Sequence, residues 1–372
     1  MKVLVVSGIW PPDVGGPASH APDVADFLHG RGHEVEVVTT ASAAPEPRTY
    51  PVRWSSRGIP KGLLHVRTAA LIRSRAVLAD VVYTTGMFGR STAGSLVARV
   101  PFVVKLTADP AFERARRRGE VGGEVEAFQG GGGGVRAAAY RRARNLELRR
   151  AAHVLTPSVW LRDLAISWGV DSERVTVVPN PAPLRRPSDE PIRRDGPSLA
   201  FAGRLTAQKS LDVAVRAVAA VEGVSLAIAG EGPERGPLEA LAAELGAADR
   251  VRFLGPLPRD AVLDLYAAAD AAVLSSEWEN APHTVVEALS LGTPVLATAT
   301  GGVAEVVRHE ENGLLVGRGD AEGLAAAIRR YFDDDTLRER LRAAAAPSVA
   351  DYEPERVFAR IEEILALAAR PA

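Results

Sequence analysis

The stretch SSEWENAPHTVVEALSLGTPVLAT, residues 275–298, joins two short apolar runs through a segment with helical spacing. The first run, AAVLS (271–275), leads into it, and the second, PVLAT (294–298), closes it. Both runs have the length and composition of buried strands. Between them, Glu279 lies on a loop and Glu287 lies in the helical pattern. A strand, a helix and a second strand in this order predict a parallel α/β arrangement.

The same alternation extends through the second half of the chain. Helical patterns such as LDVAVRAVAAV (211–221) and DAVLDLYAAAD (260–270) lie between further apolar runs. These runs all end in glycine: SLAFAG (198–203), VSLAIAG (224–230), VRFLG (251–255) and GLLVG (313–317). The second half is therefore predicted to form one doubly wound sheet with helices on both faces.

The first half has the same character. Its apolar runs are KVLVVSG (2–8), EVEVVTT (34–40), VVYTTG (81–86), PFVVKLT (101–107), HVLTPS (153–158) and RVTVVPN (174–180). A helix is predicted after the first run, because Ala21, Val24, Ala25 and Leu28 have i, i+3, i+4, i+7 spacing. The first half is predicted to form a second doubly wound sheet.

Residues 179–197 are rich in proline and charge and have no periodicity, which is typical of an interdomain linker. We expect an N-terminal domain over 1–183 and a C-terminal domain over 184–349. A C-terminal helix within 350–372 is expected to return to the first domain. Ligands bind beyond the carboxyl ends of the strands in such sheets, so two of them facing each other would form a site at a cleft.

Composition excludes several classes of function. The 372-residue chain has a formal net charge of -1, which gives no electrostatic case for a nucleic-acid partner. Cysteine is absent, which excludes disulfides, thiolate zinc sites and cysteine nucleophiles. The first residues lack the pattern of a signal peptide, and no window reaches the ~18 apolar residues of a membrane span. We predict a cytoplasmic protein.

Two cations follow a predicted strand in FAGRLTAQKS (201–210). Arg204 offers a planar fork of donors to phosphate oxygens, and Lys209 offers a compact charge. Both precede a predicted helix, whose N-terminus favours anions. They are therefore candidate phosphate ligands. The alternative is that they are solvated surface cations, as isolated Arg and Lys commonly are.

Two glycine-containing loops also follow strands. Gly230 and Gly232 in AGEGP would let a ligand approach the backbone, although a plain tight turn explains them equally well. Gly15 and Gly16 in PPDVGG could direct N–H groups at a phosphate, or form a flexible loop. No G-x-G-x-x-G pattern follows the first strand, which argues against a nicotinamide dehydrogenase.

The helix after PPDVGG contains a proline. Pro22 lacks an N–H and is tolerated in the first turn of a helix. If Ser19 caps that helix, Pro22 falls in the first turn, and the helix begins three residues after the glycines.

The order of these segments, and the spacing of Glu279 and Glu287, resemble the retaining glycosyltransferases of family 4, which have the GT-B fold. The resemblance covers nearly the whole chain. Two glutamates separated by seven residues are its most specific feature. The other matching segments are PPDVGG, LHGRGHEVEVVTT, FAGRLTAQKSLDVAVRA, AGEGP, VRFLGPLP, LYAAADAAVLSS and ENGLLV.

The resemblance implies roles for the charged residues. Arg204 and Lys209 are expected to neutralise the donor diphosphate, Glu287 to bond the ribose hydroxyls and Glu279 to bond the donor sugar. It also implies that the N-terminal domain binds the acceptor and the C-terminal domain binds the nucleotide sugar.

Further donor and acceptor residues follow from the same resemblance. Leu254 and Gly255 are expected to contact the base through the main chain. The remaining expected donor-site residues are Gly16, Gly203, Gly230, Asn280, Ala281 and Pro282. His20 and Gly15 are candidate acceptor contacts.

One segment departs from the family pattern. Many family members have a His-Asp pair after the strand that corresponds to FVVKLT, whereas this chain has Ala108 and Asp109. Asp109 is a candidate catalytic residue that serves part of the histidine's role. The alternative is a helix N-cap on the surface.

Other features indicate no further chemistry. His29 and His33 lack the glutamate of a zincin motif, and we predict no metal site, as the family resemblance also implies. The run DDD (333–335) is interpreted as a solvated helix end. QGGGGG (129–134) is interpreted as a mobile surface loop, because its glycines, Gly130–Gly134, cannot stabilise a helix or strand. The arginine-rich segment 135–150 is interpreted as a solvated helix, with weak membrane association as the alternative.

The sequence thus predicts a retaining transferase that moves a hexose or N-acetylhexosamine to an acceptor hydroxyl. The donor is expected to be a nucleoside diphosphate sugar, with UDP favoured over GDP, and the acceptor a small molecule, a glycan or a lipid-linked species. No cofactor is expected. Two alternatives stay open: a sugar-nucleotide epimerase on the same architecture and a non-catalytic nucleotide-sugar binding protein.

Overall fold

The computed structural model describes residues 1–13, 16–121, 125–183 and 196–370. The chain divides into two compact units. Unit 1 comprises Met1–Val178 together with the segment that begins at Phe358, and unit 2 comprises Pro179–Val357. Each unit contains one parallel sheet, of seven strands in unit 1 and six in unit 2. The predicted α/β class with two doubly wound sheets is confirmed.

The sheet of unit 1 has the strand order β3-β2-β1-β4-β5-β6-β7. Its strands are β1 (Lys2–Ser7), β2 (Glu34–Ala41), β3 (Val52–Ser56), β4 (Val81–Thr84), β5 (Phe102–Lys105), β6 (His153–Thr156) and β7 (Val175–Val177). The helices are α1 (Gly16–Gly30), α2 (Lys61–Ala76), α3 (Phe88–Ala98), α4 (Pro110–Arg117), α5 (Val125–Gln129), α6 (Gly134–Arg150) and α7 (Val159–Ser167), with a 3₁₀ turn at Ser172–Arg174.

The central strand β1 shows why this sheet forms. Val3, Leu4, Val5 and Val6 are all buried, because β1 pairs with β2 on one side and β4 on the other. Continuous burial needs an unbroken apolar run, which is the pattern that the sequence shows. The edge strand β3 is more exposed and has the polar sequence VRWSS, so its apolar signal is weak.

The sheet of unit 2 has the strand order β10-β9-β8-β11-β12-β13. Its strands are β8 (Ser198–Ala202), β9 (Ser225–Ala229), β10 (Val251–Gly255), β11 (Ala271–Leu274), β12 (Val295–Thr298) and β13 (Gly313–Val316). The helices are α8 (Leu211–Ala219), α9 (Arg235–Glu244), α10 (Arg259–Ala268), α11 (His283–Ser290), α12 (Val303–Val306), α13 (Ala321–Asp333) and α14 (Asp335–Ala345), with 3₁₀ turns at Ala207–Lys209 and Pro347–Tyr352.

Two local expectations differ from the structure. Helix α1 begins at Gly16, so Ser19 is not its cap and Pro22 lies inside it. The bond lost at Pro22 is offset by packing, because Val24, Ala25 and Leu28 that follow it are buried. The predicted loop over the glycine run ends one residue earlier than expected, because Gly134 is the first residue of α6.

The last helix, α15 (Pro354–Ala368), lies at the C-terminal end of the chain and packs against N-terminal residues. From Phe358 onward it belongs to unit 1. The ring of Phe358 lies 5.6 Å from that of Phe27 in α1, and Glu362 bonds His33 Nε2 at 2.7 Å. Among the described residues, no helix is both long and apolar enough to cross a bilayer.

Candidate active site

The candidate site lies where strand order reverses in unit 2. The chain runs outward from β8 to β9 and β10, and then from the adjacent β11 to β12 and β13. Crevices beyond the carboxyl ends of strands at such a switch point are the usual ligand sites of doubly wound sheets. The loops that follow β8 (203–210) and β11 (275–282) contain most of the predicted donor residues.

Lys209 and Glu279 meet at this point. The Lys209 ammonium contacts Glu279 Oε1, and Ser276 Oγ donates to the same oxygen at 2.7 Å. Both charged side chains are largely buried, with exposed fractions of 16% and 9%. A buried carboxylate needs such donors, because burial removes the water that would otherwise solvate it.

Hydrogen bonds between the two loops hold this pair in place. The Glu277 N–H donates to Gln208 O at 2.9 Å, and Gln208 Nε2 donates to Trp278 O at 2.9 Å. Ser275 Oγ donates to Ser210 O at 2.8 Å. The two loops therefore hold each other in position. These hydrogen bonds bring the Lys209 ammonium next to the Glu279 carboxylate.

Arg204 is placed differently from Lys209. Its side chain is exposed at the end of β8, and it makes no hydrogen bond or ion pair with the part of the chain that the structure describes. A planar guanidinium that no described residue engages is available to an anionic ligand.

Glu287 lies in α11 and is buried. Burial raises the pKa of its carboxyl, and the charge of Arg259 opposes that rise from 3.6 Å away. Burial, followed by the charge of Glu287, raises the pKa of Tyr266, whose hydroxyl accepts from the Ala202 N–H at 3.0 Å. Tyr266 of α10 thus contacts the carboxyl end of β8, and α10 packs against the helix that bears Glu287.

Arg259 was not predicted from the sequence as a site residue. It is the first residue of α10 in the segment PRDAV, and nothing local distinguishes it from a surface arginine. Only the packing of α10 against α11 brings it to Glu287.

The glycines after β9 have an intramolecular role. At Gly230, where φ is +139°, a Cβ atom would lie 1.8 Å from Gly203 O. At Gly232 it would lie 2.1 Å from Leu205 O. The Leu205 N–H also donates to Glu231 O at 3.0 Å. The glycines therefore permit a close approach between the backbone of this loop and that of the loop that contains Arg204. This contact within the protein requires glycine with or without a ligand.

The predicted base-contact segment adjoins the same loop. Leu254 has an exposed fraction of 43%, and the carbonyl of Gly255 accepts from the Gly230 N–H at 2.8 Å. The main chain of Gly255 is thus partly used within the protein, and Leu254 is the more accessible of the two.

The segment after Glu279 is also fixed in unit 2. Asn280 is buried, and Ala281 O accepts from Asn180 Nδ2 at 3.0 Å. Pro282 immediately precedes α11. The three residues therefore connect the carboxylate of Glu279 to the helix that bears Glu287.

Comparisons with known proteins match both halves of the chain. The family model described as "Glycosyl transferase 4-like domain" matches residues 15–181, and that described as "Glycosyl transferases group 1" matches residues 185–347. D-inositol 3-phosphate glycosyltransferase of Acidothermus cellulolyticus is 30% identical over 384 residues, which cover 90% of this chain and 82% of the relative. This chain belongs to the group 1 glycosyltransferases.

Two further comparisons extend this likeness. Glycogen synthase of Mycobacterium tuberculosis is 28% identical to this glycosyltransferase over 404 residues, covering 100% of this chain and 95% of the relative. The crystal structure of HepE of Anabaena in complex with UDP matches with a TM-score of 0.78 and 22% identity, over 99% of this chain and 100% of that one. The structural match shows the fold, which is GT-B as the sequence predicted.

In unit 1 of the glycosyltransferase, Asp109 caps α4. Its Oδ1 accepts from the N–H groups of Ala111 at 2.8 Å and Phe112 at 3.3 Å. Its Oδ2 accepts from Arg144 at 2.6 Å and Gln129 at 2.9 Å. The N-cap alternative describes this position, although the cap is buried and not on the surface. A catalytic role for Asp109 stays a prediction, and its carboxylate is fully engaged within the protein.

The candidate acceptor residues lie near the start of α1. His20 is buried, and its Nε2 lies 2.8 Å from the hydroxyl of Tyr83. Its ring also lies 6.2 Å from that of Phe358 in α15. His20 is thus part of the core of unit 1, and its acceptor role stays a prediction. Gly15 lies outside the described residues, and Gly16 begins α1.

The glycosyltransferase shows no cluster of three or more potential metal ligands in the described part of the chain. The aspartates at 333–335 lie at a helix junction: Asp333 ends α13, Asp334 Oδ1 accepts from the Leu337 N–H at 2.9 Å, and Asp335 pairs with Arg338.

Proposed function

We propose that this glycosyltransferase moves a hexose or N-acetylhexosamine from a UDP-sugar to an acceptor hydroxyl, with retention of anomeric configuration. The observation that carries this proposal is the arrangement of Arg204, Lys209 and Glu279 at the strand-order reversal of unit 2. Retention is proposed from the likeness to family 4 enzymes.

The chemistry of this arrangement is charge management. A nucleoside diphosphate gains negative charge as the glycosidic bond breaks, and cations fixed in advance stabilise that charge most in the transition state. The Arg204 side chain has no partner among the residues that the structure describes, so it can bind phosphate oxygens, and Lys209 is already held by the two interlocked loops. Glu279, which contacts Lys209, would accept hydrogen bonds from the donor sugar on the other side.

Glu287 suits recognition of the ribose. A carboxylate accepts directional hydrogen bonds from vicinal hydroxyls, and this one is buried, with Arg259 as the one cation paired with it in the described part of the chain. We propose that the ribose hydroxyls supply the further donors. No motif residue is an evident nucleophile, so we favour attack by the acceptor on the same face as the departing diphosphate.

The choice of UDP is supported by structural relatives. HepE of Anabaena was crystallised with UDP and with UDP-glucose, and both structures match 99% of this chain with a TM-score of 0.78. Thermal shift with UDP-, GDP-, ADP- and dTDP-sugars would test the base, because a bound donor raises the melting temperature of the native state. The greatest stabilisation is expected for a UDP-sugar.

Substitution of the two cations tests the function itself. Arg204→Ala and Lys209→Ala are each expected to lower kcat about 100-fold or more, because each removes a donor aimed at the developing charge. The measurement is release of UDP in the presence of acceptor. Lys2→Ala and Arg356→Ala, both exposed residues in surface ion pairs, are the matched controls and should keep normal turnover. Near-normal turnover in both site variants would refute the proposal.

A further inference from the structure

A cavity of about 650 Å³ in unit 1 is lined by four arginines. Arg90 comes from α3, Arg114 and Arg117 from α4, and Arg118 follows α4. We call this the arginine cavity. Glu147 of α6 is the single acidic residue among the described residues that line it. Four guanidinium groups around one opening repel one another, so this concentration of charge costs stability unless an anion binds there.

Arg90 gives the most direct sign of a ligand. Its Nη1 is buried and has no hydrogen-bond partner within the described residues. Burial, followed by the charge of Arg114, lowers the pKa of the Arg90 guanidinium. A buried cationic donor without an acceptor is unfavourable in the unliganded protein. Arg90 also lines the cavity, so an oxyanion bound there would offset its charge.

A tyrosine orders the arginines on the other side. Arg118 Nη1 donates to the Tyr140 hydroxyl at 2.8 Å. The guanidinium carbons of Arg114 and Arg118 lie 5.5 Å and 5.7 Å from the centre of the Tyr140 ring. These contacts place two guanidinium groups at one ring and leave most of their N–H donors available for a ligand.

Glu147 does not neutralise this charge. Its carboxylate packs so closely on Gly89 that a Cβ atom there would lie 2.8 Å from Glu147 Oε1. Burial raises the pKa of Glu147, and the charge of Arg114 opposes that rise. Within the described residues, Glu147 forms no ion pair with these arginines. Burial, followed by the charges of Arg90 and Arg114, lowers the pKa of His65, which also lines the cavity.

We propose that the arginine cavity binds a phosphate group of the acceptor. The cavity lies in unit 1, whereas the donor residues from Arg204 to Glu287 lie in unit 2. A phosphate group offers three oxygens and nearly two negative charges, so it can accept hydrogen bonds from several guanidinium groups at once. A ligand carboxylate offers only two oxygens and one charge. The acceptor assignment rests on the proposed function, whereas phosphate binding itself does not.

Isothermal titration calorimetry of the protein tests this proposal. The ligands are glycerol 3-phosphate, inorganic phosphate, and vesicles of phosphatidylcholine with and without phosphatidic acid. We expect Arg90→Gln and the double variant Arg114→Gln/Arg118→Gln to weaken phosphate binding at least about tenfold, since each removes charged hydrogen bonds. Arg114 and Arg118 are exposed, so the double variant should fold even if Arg90→Gln does not. Arg116→Gln is the matched control, because Arg116 is on the same helix but stacks on Phe112 and pairs with Glu113.

The outcomes separate the sources of phosphate and the two proposals. Binding of soluble phosphates that the cavity variants lose supports a soluble acceptor, and binding of phosphatidic acid vesicles alone, lost in the same variants, supports a lipid phosphate. No binding, or binding that the cavity variants retain, overturns the proposal. Repeating the titration in Lys209→Ala needs no sugar transfer, so phosphate affinity retained there supports the cavity even if the donor chemistry fails.

Discussion

Glu287 is a buried carboxylate whose ionisation depends on one guanidinium. The Arg259 side chain is 3.6 Å away and 45% exposed, so its effect on Glu287 is partly screened by solvent. Burial raises the pKa of Glu287, and Arg259 lowers it. If the ribose binds to the charged form, then the affinity for UDP depends on the balance between these two effects.

Arg259→Ala tests this balance. Loss of the cation removes the opposing effect, so the pKa of Glu287 rises further and its charged fraction falls at mildly acidic pH. We expect the pH below which UDP affinity declines to move upward relative to the wild type. Titration calorimetry with UDP between about pH 5.5 and 8 measures this pH dependence of the UDP affinity. Arg259→Lys should restore most of the wild-type profile, and identical profiles for Arg259→Ala and the wild type would contradict the assignment.

At the scale of secondary-structure elements, the loops after β8 and β9 pack directly against each other. Gly230 and Gly232 bring the backbone of one loop against Gly203 and Leu205 of the other, and backbone hydrogen bonds join them. A side chain at Gly230 would collide with a carbonyl oxygen, which cannot rotate away as a flexible side chain could. The position of Arg204 therefore depends on a glycine that is distant in sequence.

Gly230→Ala is expected to destabilise the protein by about 2–4 kcal/mol, because it combines a backbone clash with a left-handed φ. Urea unfolding monitored by circular dichroism measures the change. Gly236→Ala, in the first turn of α9 with open space around it, is the matched control. It should be neutral or stabilise by about 0.5–1 kcal/mol. Equal stability of the two variants would show that the loops do not need this close approach.

At the scale of the whole molecule, the two ends of the chain belong to one unit. Helix α15 lies at the C-terminus, yet Phe358, Ile361 and Leu365 are buried in unit 1. Contacts with α1 through Phe27 and with the turn that follows α1 through His33 fix its position. Stability of the N-terminal strands thus depends on residues at the far end of the sequence.

Leu365→Ala is expected to cost about 2–4 kcal/mol, because it leaves a cavity in the core of unit 1. Hydrogen exchange should become faster in β1 and β2, while β8 and β9 stay unchanged. Leu367→Ala, on the same helix but with an exposed fraction of 85%, should change stability by no more than about 0.5 kcal/mol. Faster exchange in β8 and β9 instead would place α15 with unit 2.

The sequence by itself determined the two parallel sheets and the family. Buried parallel strands require continuous apolar runs, so β1, β8 and β11 were visible in the sequence, whereas the polar edge strand β3 was not. The same runs placed Arg204, Lys209 and Glu279 on loops at strand ends. Local periodicity carries this information, because it reflects which face of each element is buried.

Only the tertiary structure decided which side chains meet. Lys209 and Glu279 are 70 residues apart, and their contact depends on the adjacency of β8 and β11. The contact of Arg259 with Glu287, the burial of Asp109 against Arg144 and the convergence of the arginine cavity all depend on packing between helices. Such contacts leave no local pattern, because the electrostatic and steric forces between side chains act through space and are independent of sequence separation.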